Sequence, residues 1–396
     1  MSGSTRGEVL LVGGGLQSGL IALAVLHARP ECRLTIIEAG EALGGNHTWS
    51  FHGTDVPPEA QAWIEPLVQV SWTGHDVFFP DHHRTLSGRY CSLTGEHMHR
   101  VVSKRVSEAP HGDLILGRRA TAVDARGATL DDGRRLEADL VVDCRGPSAA
   151  PRTLGWRGGW QKFVGLEVRL KAPHGLTRPI LMDARVAQRD GFRFLYVLPY
   201  SDDVLLVEDT VFSDHQELDV DGLRAGALSY CAENRWEIDA ELRQEQGALP
   251  MPITPVAVSR GPALAGGYAG GWFHPGTGYS APIAIRLACF LAAREPDDAV
   301  GMDLRALAVN LEHQQRYAHL LNELLFEKCA PDLRWDLFSR FYRLPEDTID
   351  RFYSLRTERG DRMRALIGPP PKGVSIPQAM SALIRYVRER HFGRRA

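Results

Sequence analysis

Two short apolar segments near the start of the chain flank a glycine-rich turn and an apolar helical run. Residues 9–12 (VLLV) and residues 34–37 (LTII) have the apolar character of strands buried on both faces. Between them, residues 13–19 (GGGLQSG) lead into an apolar run that continues to Leu26. The order strand, turn, helix, strand predicts a parallel βαβ unit.

The glycine-rich turn has the residues that a dinucleotide pyrophosphate requires. Gly13 permits a tight turn, and Gly15 lets a phosphate approach the backbone. The helix that begins at Leu16 offers free N–H groups at the positive end of its dipole. Ser18 fills the third small position of the G-x-G-x-x-G pattern, and Glu38 ends the second strand, where its carboxylate can accept ribose hydroxyls. We therefore expect a nucleotide at this turn.

A second pair of glycines follows Glu38 and leads into Gly45-Asn46. An acid followed by paired glycines is typical of flavoproteins, in which these glycines bring the backbone close to the flavin side of FAD. A nicotinamide-binding domain has less need of a second glycine pair. The segment therefore favours FAD over a nicotinamide cofactor, with Gly45 and Asn46 as candidate contacts.

Two later segments are predicted to complete the cofactor site. A strand at residues 140–143 ends in Asp143, which lies near the adenine end of FAD in flavoproteins of this architecture, although a turn without ligand contact also explains it. A second glycine-rich segment precedes the apolar helical run at residues 283–292. We therefore expect further free N–H groups at the start of that helix, available to the pyrophosphate or the flavin. The candidate contacts in this segment are Gly276, Thr277, Gly278 and Tyr279.

The histidines are interpreted without a catalytic or metal-binding role. His47 and His52 lie in an aromatic-rich segment and are assigned ordinary hydrogen bonds in a loop. His75, His82 and His83 are placed in a polar loop around residues 80–81, with no carboxylate at ligand spacing. No metal site is therefore assigned.

From residue 162 onward the pattern changes to the alternation of an antiparallel sheet. Residues 163–170 and 180–183 predict strands, and residues 192–199 and 204–210 predict a hairpin. A sheet inserted into a dinucleotide-binding fold is a usual place for a substrate pocket.

Glu208 and Asp209 end the last of these strands, which is otherwise apolar. Neighbouring residues on a strand point to opposite faces, so one carboxylate is expected to face a pocket and the other to face away. A carboxyl group in apolar surroundings tends to stay protonated and can act as a general acid. An ion pair between these acids and the many arginines of the chain explains the residues equally well.

Amphipathic helices are predicted for the rest of the chain. They cover residues 304–325, 333–342 and 348–356, and the run at 376–387 resumes after a break at the prolines 369–371. Packing on the core is the favoured interpretation of their aromatic residues. A basic amphipathic surface that touches anionic lipid is the alternative.

These patterns predict an α/β fold. A Rossmann-type FAD-binding domain, similar to those of glutathione reductase and the aromatic hydroxylases, is expected to take residues 1–160 together with 255–300. An inserted antiparallel β-sheet domain for the substrate is expected at 161–254, and a C-terminal helical region that can dock on a membrane at 301–396.

Composition narrows the functional class. The 396 residues include 46 Lys and Arg against 49 Asp and Glu, a net charge of −3 that gives no indication of nucleic-acid binding. The six cysteines are scattered without a CxxC pair, which is expected of reduced thiols in a cytoplasmic protein. No signal peptide and no apolar run long enough to span a bilayer are expected.

Several longer motifs resemble those of the bacterial lycopene β-cyclases, and the resemblance extends over most of the chain. The motifs are residues 13–16 (GGGL), 38–40 (EAG), 44–52 (GGNHTWSFH), 179–184 (PILMDA), 205–210 (LLVEDT), 273–280 (FHPGTGYS), 340–345 (RFYRLP) and 351–353 (RFY). The 44–52 string and the LLVEDT strand are specific, whereas bare glycine loops are not.

The resemblance implies a redox-neutral isomerisation. The acyclic ψ-ends of lycopene would close to β-ionone rings, by way of γ-carotene to β-carotene, with Glu208 as the acid and Asp209 as the second candidate. FAD would be required in its reduced form, with NADPH or NADH as the electron source. Plant members have two glutamates in the corresponding acidic motif, whereas this chain has Glu followed by Asp, which leaves the role of Asp209 open.

The resemblance also implies the partners. Lycopene and related carotenoids with ψ-ends are lipid-dissolved, so we expect a cytoplasmic protein associated peripherally with the inner face of the membrane, with other carotenoid-pathway enzymes as candidate partners. Two alternatives stay open on the same motifs. One is a flavin-dependent monooxygenase or prenyl reductase on the same fold, and the other is a non-enzymatic flavin-binding or redox-sensing protein.

Overall fold

The computed structural model describes residues 7–146, 157–254, 263–296 and 300–366, together with 372, 374–377, 381 and 384. Its strands are β1 (Glu8–Val12), β2 (Arg33–Ile37), β3 (Thr48–His52), β4 (Val70–Phe79), β5 (His82–Thr94), β6 (Gly112–Ile115), β7 (Ala120–Asp124), β8 (Gly127–Leu130), β9 (Arg135–Glu137), β10 (Leu140–Asp143), β11 (Gly158–Leu170), β12 (Ile180–Asp183), β13 (Phe192–Pro199), β14 (Val204–Ser213), β15 (Ile238–Pro252) and β16 (Leu264–Ala265). Its α-helices are α1 (Leu16–Ala28), α2 (Gln61–Ile64), α3 (Gly95–Ser107), α4 (Val220–Glu233), α5 (Ala281–Ala292), α6 (Val300–Glu323), α7 (Arg334–Phe341), α8 (Glu346–Tyr353) and α9 (Arg359–Leu366).

A parallel sheet carries the predicted nucleotide-binding unit. Its strand order is β16-β10-β1-β2-β6, and every neighbouring pair is parallel. Val9 and Leu11 of β1 face a core that includes α1, α3 and α5, whereas Leu10 and Val12 face the small sheet β7-β8-β9. Both faces are covered, which is why β1 is apolar without alternation. The predicted βαβ unit is confirmed.

A second sheet has eight strands in the order β15-β11-β14-β13-β12-β4-β5-β3. Its neighbours are antiparallel except for β12 and β4, which run parallel. The predicted strands and hairpin between residues 163 and 210 are confirmed. The sheet also takes β3, β4 and β5 from residues 48–94, a range that the sequence placed with the nucleotide-binding domain.

The predicted polar loop around residues 80–81 is shorter than expected. His75 lies on β4 and His82 and His83 lie on β5, so only Pro80 and Asp81 form the turn between the two strands. Polar residues interrupt the apolar alternation in these strands, which is why the sequence pattern did not predict them. Among the described residues, no group of three or more histidines, cysteines or acidic side chains is placed to hold a metal ion.

Two further elements of the second sheet region were not predicted. Helix α4 packs on one face of β11 and β14, where Ala227 and Tyr230 belong to the same buried cluster as Leu166 and Val207. Strand β15 pairs along the whole length of β11 and supplies a polar edge to the sheet. Its many charged and amide side chains hide the strand pattern in the sequence.

The C-terminal helices α7 and α8 cover the opposite face of the eight-stranded sheet. Phe338 of α7 stacks on Phe192 of β13 with ring centroids 4.1 Å apart, and Tyr342 is fully buried. Arg334 is also buried, and it donates hydrogen bonds to the carboxylate of Asp214 at 2.7 and 3.0 Å. The interpretation that these aromatic residues pack on the core is confirmed for α7 and α8.

Other expectations for this region have mixed outcomes. The prolines 369–371 and most of the predicted helix at 376–387 lie outside the described residues. The described helices include none that combines the length and the apolar character needed to cross a bilayer. All six cysteines are free thiols, as the sequence predicted.

Candidate active site

The glycine turn after β1 is shaped by close backbone contacts. Gly13 has φ +98°, and a Cβ atom at this position would lie 2.7 Å from the carbonyl oxygen of Cys144. Its N–H donates to the carbonyl of Ile37 at 2.7 Å, which joins the turn to the end of β2. Only glycine fits this conformation and this space, so the structural role predicted for Gly13 follows directly from the geometry.

Gly15 lies beside open space. It is the N-cap of α1, and a Cβ atom built on it would have no protein atom within 4 Å. No side chain caps the helix, so the first N–H groups, beginning at Leu16, are available to an anion at the positive end of the helix dipole. Ser18 is fully buried, and its hydroxyl donates to the carbonyl of Gly13. Its small size therefore permits close packing of α1 against the turn.

Glu38 lies at the end of β2 and is joined to the turn. One carboxylate oxygen accepts the N–H of Gly14 at 2.6 Å, and the other accepts the N–H of Gly40 at 2.7 Å. These bonds fix the carboxylate next to the glycine turn. A carboxylate has about four acceptor positions, so two N–H donors leave capacity for the hydroxyls of a ribose.

Helix α5 places the second glycine-rich segment beside the first. Gln17 in the first turn of α1 donates to the carbonyl of Ala284 in the first turn of α5 at 3.2 Å. At the other end, Arg29 bonds the carbonyls of Leu291 and Arg294. The helices are therefore parallel, with both N-termini at the same edge of the sheet. Neither N-terminus has a side-chain cap. In α5, however, Pro282 has no N–H, and the N–H groups of Ile283 and Ala284 donate to the carbonyl of Ser280, so the free N–H groups for an anion come mainly from α1.

The segment before α5 is a compact turn. The N–H of Gly278 donates to the carbonyl of His274 at 2.9 Å, and the N–H of His274 donates to the carbonyl of Tyr279 at 2.7 Å. Thr277 closes the same turn, because its N–H also points to the carbonyl of His274 and its hydroxyl accepts the N–H of Tyr279 at 3.3 Å. Gly276 lies in this turn too, with its N–H on the ring of His274.

The structure places the remaining cofactor candidates at two other points. Gly45 has φ +56°, and a Cβ atom built on it would contact the ring of His47 at 3.6 Å. The amide of the neighbouring Asn46 donates to the carbonyl of Gln244 at 2.6 Å. Asp143 ends β10 beside the glycine turn, but its carboxylate is held by Arg145 at 2.7 and 2.9 Å. A turn without ligand contact therefore still explains Asp143.

Glu208 and Asp209 point to opposite faces of the sheet, as predicted. Asp209 faces α4 and forms a bidentate ion pair with Arg193, with the closest contact at 2.6 Å. Gly226 of α4 leaves room for this pair, since a Cβ atom there would overlap the Asp209 carboxylate. The ion-pair interpretation therefore holds for Asp209.

Glu208 has no such partner among the described residues. It is 9% exposed, and it accepts a hydrogen bond from the hydroxyl of Thr210 at 2.7 Å. Burial raises the pKa of Glu208 to about 8, and the neighbouring carboxylate of Glu245 adds to the rise. The hydrogen bond from Thr210 opposes it. At neutral pH the carboxyl group is therefore mainly protonated and can donate a proton.

Aromatic side chains line the same face as Glu208. Tyr196 lies directly opposite Glu208 on β13, and its hydroxyl is 2.8 Å from the hydroxyl of Ser50 and 3.0 Å from that of Tyr90. Ser50 and Tyr90 belong to β3 and β5, at the far end of the strand order. The sheet is therefore strongly curved, and its concave face encloses these polar and aromatic groups near the acid.

His47 is exposed and precedes β3, as the loop interpretation expects. For His52 the loop interpretation is wrong. His52 ends β3, is 4% exposed, and packs against His75 and Tyr90 with ring centroids 5.4 and 5.0 Å apart. Burial lowers the pKa of His52 to about 4 and that of His75 to about 3, so both imidazoles are neutral. These ring partners belong to β4 and β5, which a single sequence does not place beside His52.

The fold resembles those of flavin-dependent enzymes. A geranylgeranyl bacteriochlorophyll reductase-like protein from Thermoplasma acidophilum superposes with a TM-score of 0.59 at 14% identity, covering 96% of this chain and 99% of that one. The flavin-dependent halogenase CmlS gives a TM-score of 0.56 at 17% identity, covering 98% of this chain and 78% of its own. At such identities the likeness shows the fold alone. Together with the glycine turn, it places the chain in the class of two-sheet dinucleotide-binding flavoprotein folds.

Sequence relatives define the family within that class. The model of the lycopene cyclase protein family matches residues 8–378. A lycopene beta-cyclase from Paracoccus sp. is 40% identical over 374 residues, which are 92% of this chain and 94% of that protein. One from Pantoea ananas is 37% identical over 382 residues, which are 95% and 98% of the two chains. The chain belongs to the lycopene cyclase family.

The open space beside Gly15 gives a test of the cofactor site. Gly15 has φ −77°, which alanine adopts without strain, so Gly15→Ala should leave the melting temperature of the cofactor-free protein unchanged. The added methyl group would occupy the expected path of the phosphate, and FAD affinity should fall about tenfold or more. Fluorescence titration with FAD measures this loss.

Gly13→Ala is the matched control, because a Cβ at residue 13 overlaps backbone and the φ is positive. That variant should lose stability as well as affinity. Normal FAD binding by Gly15→Ala would contradict the assignment of this turn to the pyrophosphate.

Proposed function

We propose that this chain is an FAD-dependent lycopene β-cyclase that closes the ψ-ends of lycopene to β-ionone rings, by way of γ-carotene to β-carotene. The observation that carries the proposal is Glu208, a buried carboxyl group on an aromatic-lined concave face whose pKa is raised to about 8. Such a group can protonate an alkene, and the close relatives bear the name of the reaction that begins this way.

The proposed cofactor contacts are the two glycine-rich segments at the N-termini of α1 and α5, together with Glu38 and Gly45. Gly15 and the N-terminus of α1 would hold the pyrophosphate, Glu38 would accept the adenosine ribose hydroxyls, and the turn at Gly278 with Gly45 would approach the flavin. Reduced FAD, with NADPH or NADH as the electron source, would supply negative charge that stabilises a nearby cation. The open space at Gly15 and the uncapped N-termini of both helices fit such a group.

Glu208 would donate its proton to C2 of the terminal C1–C2 alkene, which leaves a tertiary cation at C1. The C5–C6 alkene then attacks C1, and loss of the proton from C6 completes the β-ring. One proton enters and one leaves, so the reaction changes no oxidation state. General acid catalysis typically contributes about 10²–10⁴-fold, and the rest must come from stabilising the cation.

Aromatic rings on the concave face provide part of that stabilisation. Tyr196, Tyr90 and Trp72 belong to the cluster on this side of the sheet, and Trp72 stacks on Tyr90 at 6.3 Å. The face of an aromatic ring attracts a cation, and the attraction is stronger where water is excluded. Helices α7 and α8 cover this face and would keep water from the cationic intermediate.

Asp209 has a different proposed role from Glu208. Its carboxylate faces α4 and is neutralised by Arg193, so it has neither the position nor the free proton that the reaction needs. We therefore assign the acid to Glu208 and a structural ion pair to Asp209.

The reaction itself can be tested directly. Anaerobic incubation of the protein with lycopene, FAD and dithionite should yield γ-carotene and β-carotene, both with the mass of lycopene, since cyclisation is an isomerisation. Chromatography with mass detection measures the products. A flavin monooxygenase or a prenyl reductase would change the mass, and either result would replace the cyclase proposal.

Replacing the acid should abolish the proton transfer and spare the fold. Glu208→Gln keeps the shape of a neutral side chain, so it should bind FAD normally while cyclisation falls about 10²–10⁴-fold. Asp209→Asn is the contrasting variant, because it leaves Arg193 buried without its partner and should lower the melting temperature. Near-normal turnover by Glu208→Gln would remove Glu208 from its role.

Peripheral attachment to the membrane is proposed because lycopene is dissolved in lipid. Val309 of α6 and Met363 of α9 are 62% and 58% exposed, and both belong to the C-terminal helices. Flotation with anionic vesicles should carry the protein into the lipid fraction, and the double substitution Val309→Asp/Met363→Asp should weaken this attachment. Full recovery in the lipid-free fraction, with activity indifferent to added lipid, would contradict it.

A further inference from the structure

A second buried carboxylate faces Glu208 across a glycine. Three neighbouring strands bring Glu245 of β15, Gly165 of β11 and Glu208 of β14 into one row, because Gly165 pairs with Glu245 on one side and with Glu208 on the other. A Cβ atom at Gly165 would lie 3.1 Å from Cγ of Glu245 and 3.5 Å from Cβ of Glu208. Both acidic side chains are therefore on the same face, with bare backbone between them.

Gly165 is needed for space and not for its backbone conformation. Its φ lies outside the positive range that other residues avoid, so the strand itself would accept a side chain there. A side chain at this position would stand between the two carboxyl groups and separate them. Its absence brings the acids within reach of each other's electrostatic field.

Glu245 is fixed in place by two donors. It is 4% exposed, and one carboxylate oxygen accepts Arg243 Nη1 at 2.6 Å and the hydroxyl of Thr48 at 2.9 Å. Arg243 also donates to the side chains of Thr48 at 2.7 Å and Asn46 at 3.2 Å. The charge is therefore held at the junction between the sheet and the loop that is predicted to approach the flavin.

The charged groups around Glu208 lie on its own strand β14, on β11 and on β15. Asp209 on its own strand faces away and pairs with Arg193, although its carboxylate still contributes, less than Glu245, to the raised pKa of Glu208. Glu167 on β11 is paired with Arg243 at 3.0 Å. On β13 the neighbour is the uncharged Tyr196. After burial, the carboxylate of Glu245 is the largest cause that raises the pKa of Glu208, and Arg243 opposes it less strongly.

We propose that Glu245 is a positioning residue for the acid. Its carboxylate, fixed by Arg243 and Thr48 across the space above Gly165, disfavours a second negative charge and so keeps the proton on Glu208. The proposal rests on the proposed function in one respect, namely that Glu208 is the proton donor of the cyclisation. The electrostatic coupling between the two side chains does not depend on which reaction the protein catalyses.

The substitution Glu245→Gln tests the coupling. It removes the negative charge and leaves Arg243 in place, so the pKa of Glu208 should fall. A proton donor with a lower pKa loses its proton at lower pH, so the alkaline limb of the pH–activity profile should move to lower pH by about one unit or more. Activity on the acidic side of that limb should change much less.

Two control variants separate charge from packing. Glu245→Asp keeps the charge and should retain most of the wild-type pH profile. Glu241→Gln makes the same chemical change on the same strand, at a site where the carboxylate pairs with Arg224 near the surface, and should not move the limb. A variant that merely loosened the fold would lower the melting temperature without a shift of the pH profile, and that result for Glu245→Gln would overturn the proposal.

A spectroscopic readout makes the test independent of turnover. The infrared band of the protonated Glu208 carboxyl can be identified by its absence in Glu208→Gln, and its disappearance with rising pH reports the titration of that residue. The band should titrate at lower pH in Glu245→Gln than in the wild type. An unchanged titration would overturn the proposal even in an active enzyme. A shifted titration in a protein that makes no β-rings would support the coupling and refute the cyclase function instead.

Discussion

The parallel packing of α1 against α5 determines where the rest of the site can lie. Hydrogen bonds join the helices at both ends, from Gln17 to Ala284 and from Arg29 to Leu291, so neither helix can slide along the other. Two segments that are 267 residues apart in the chain therefore end at the same edge of the parallel sheet. Their dipoles point the same way, so the positive end of α5 adds to the anion site that the free N–H groups of α1 provide.

The strand β14 accommodates two buried acids in two different ways. Burying a carboxylate is costly unless it is paired, and burying a neutral carboxyl group costs much less. Asp209 is paired, because it forms a bidentate ion pair with Arg193. Glu208 is buried as a neutral carboxyl group, because its raised pKa keeps it protonated. The alternation of the strand makes the difference possible, because it places the two side chains on opposite faces with different neighbours.

The sequence predicts the parts of the fold and the site that depend on nearby residues. The glycine turn at Gly13, Glu38 after the second strand and the apolar strand with Glu208 are all local patterns, and the structure contains all three. The expected strand end at Glu208 and Asp209 is wrong, because β14 continues to Ser213. The register that sets Glu245 beside Gly165 and the curvature that brings Tyr196 to Ser50 depend on strands far apart in the chain. Polar edge strands such as β15 lack the alternation of apolar and polar residues from which a strand is predicted.

The row of Glu245, Gly165 and Glu208 also explains why the proton belongs to one particular acid. Two neighbouring carboxyl groups with equal surroundings would share a proton, and their titration would belong to the pair. Here the surroundings are unequal, since Arg243 and Thr48 donate hydrogen bonds to Glu245, whereas among the described residues Glu208 accepts a hydrogen bond from the hydroxyl of Thr210. The ion pair of Glu245 with Arg243 and the burial of Glu208 without a cationic partner among the described residues therefore leave the proton on Glu208, which lets this carboxyl group act as an acid near neutral pH.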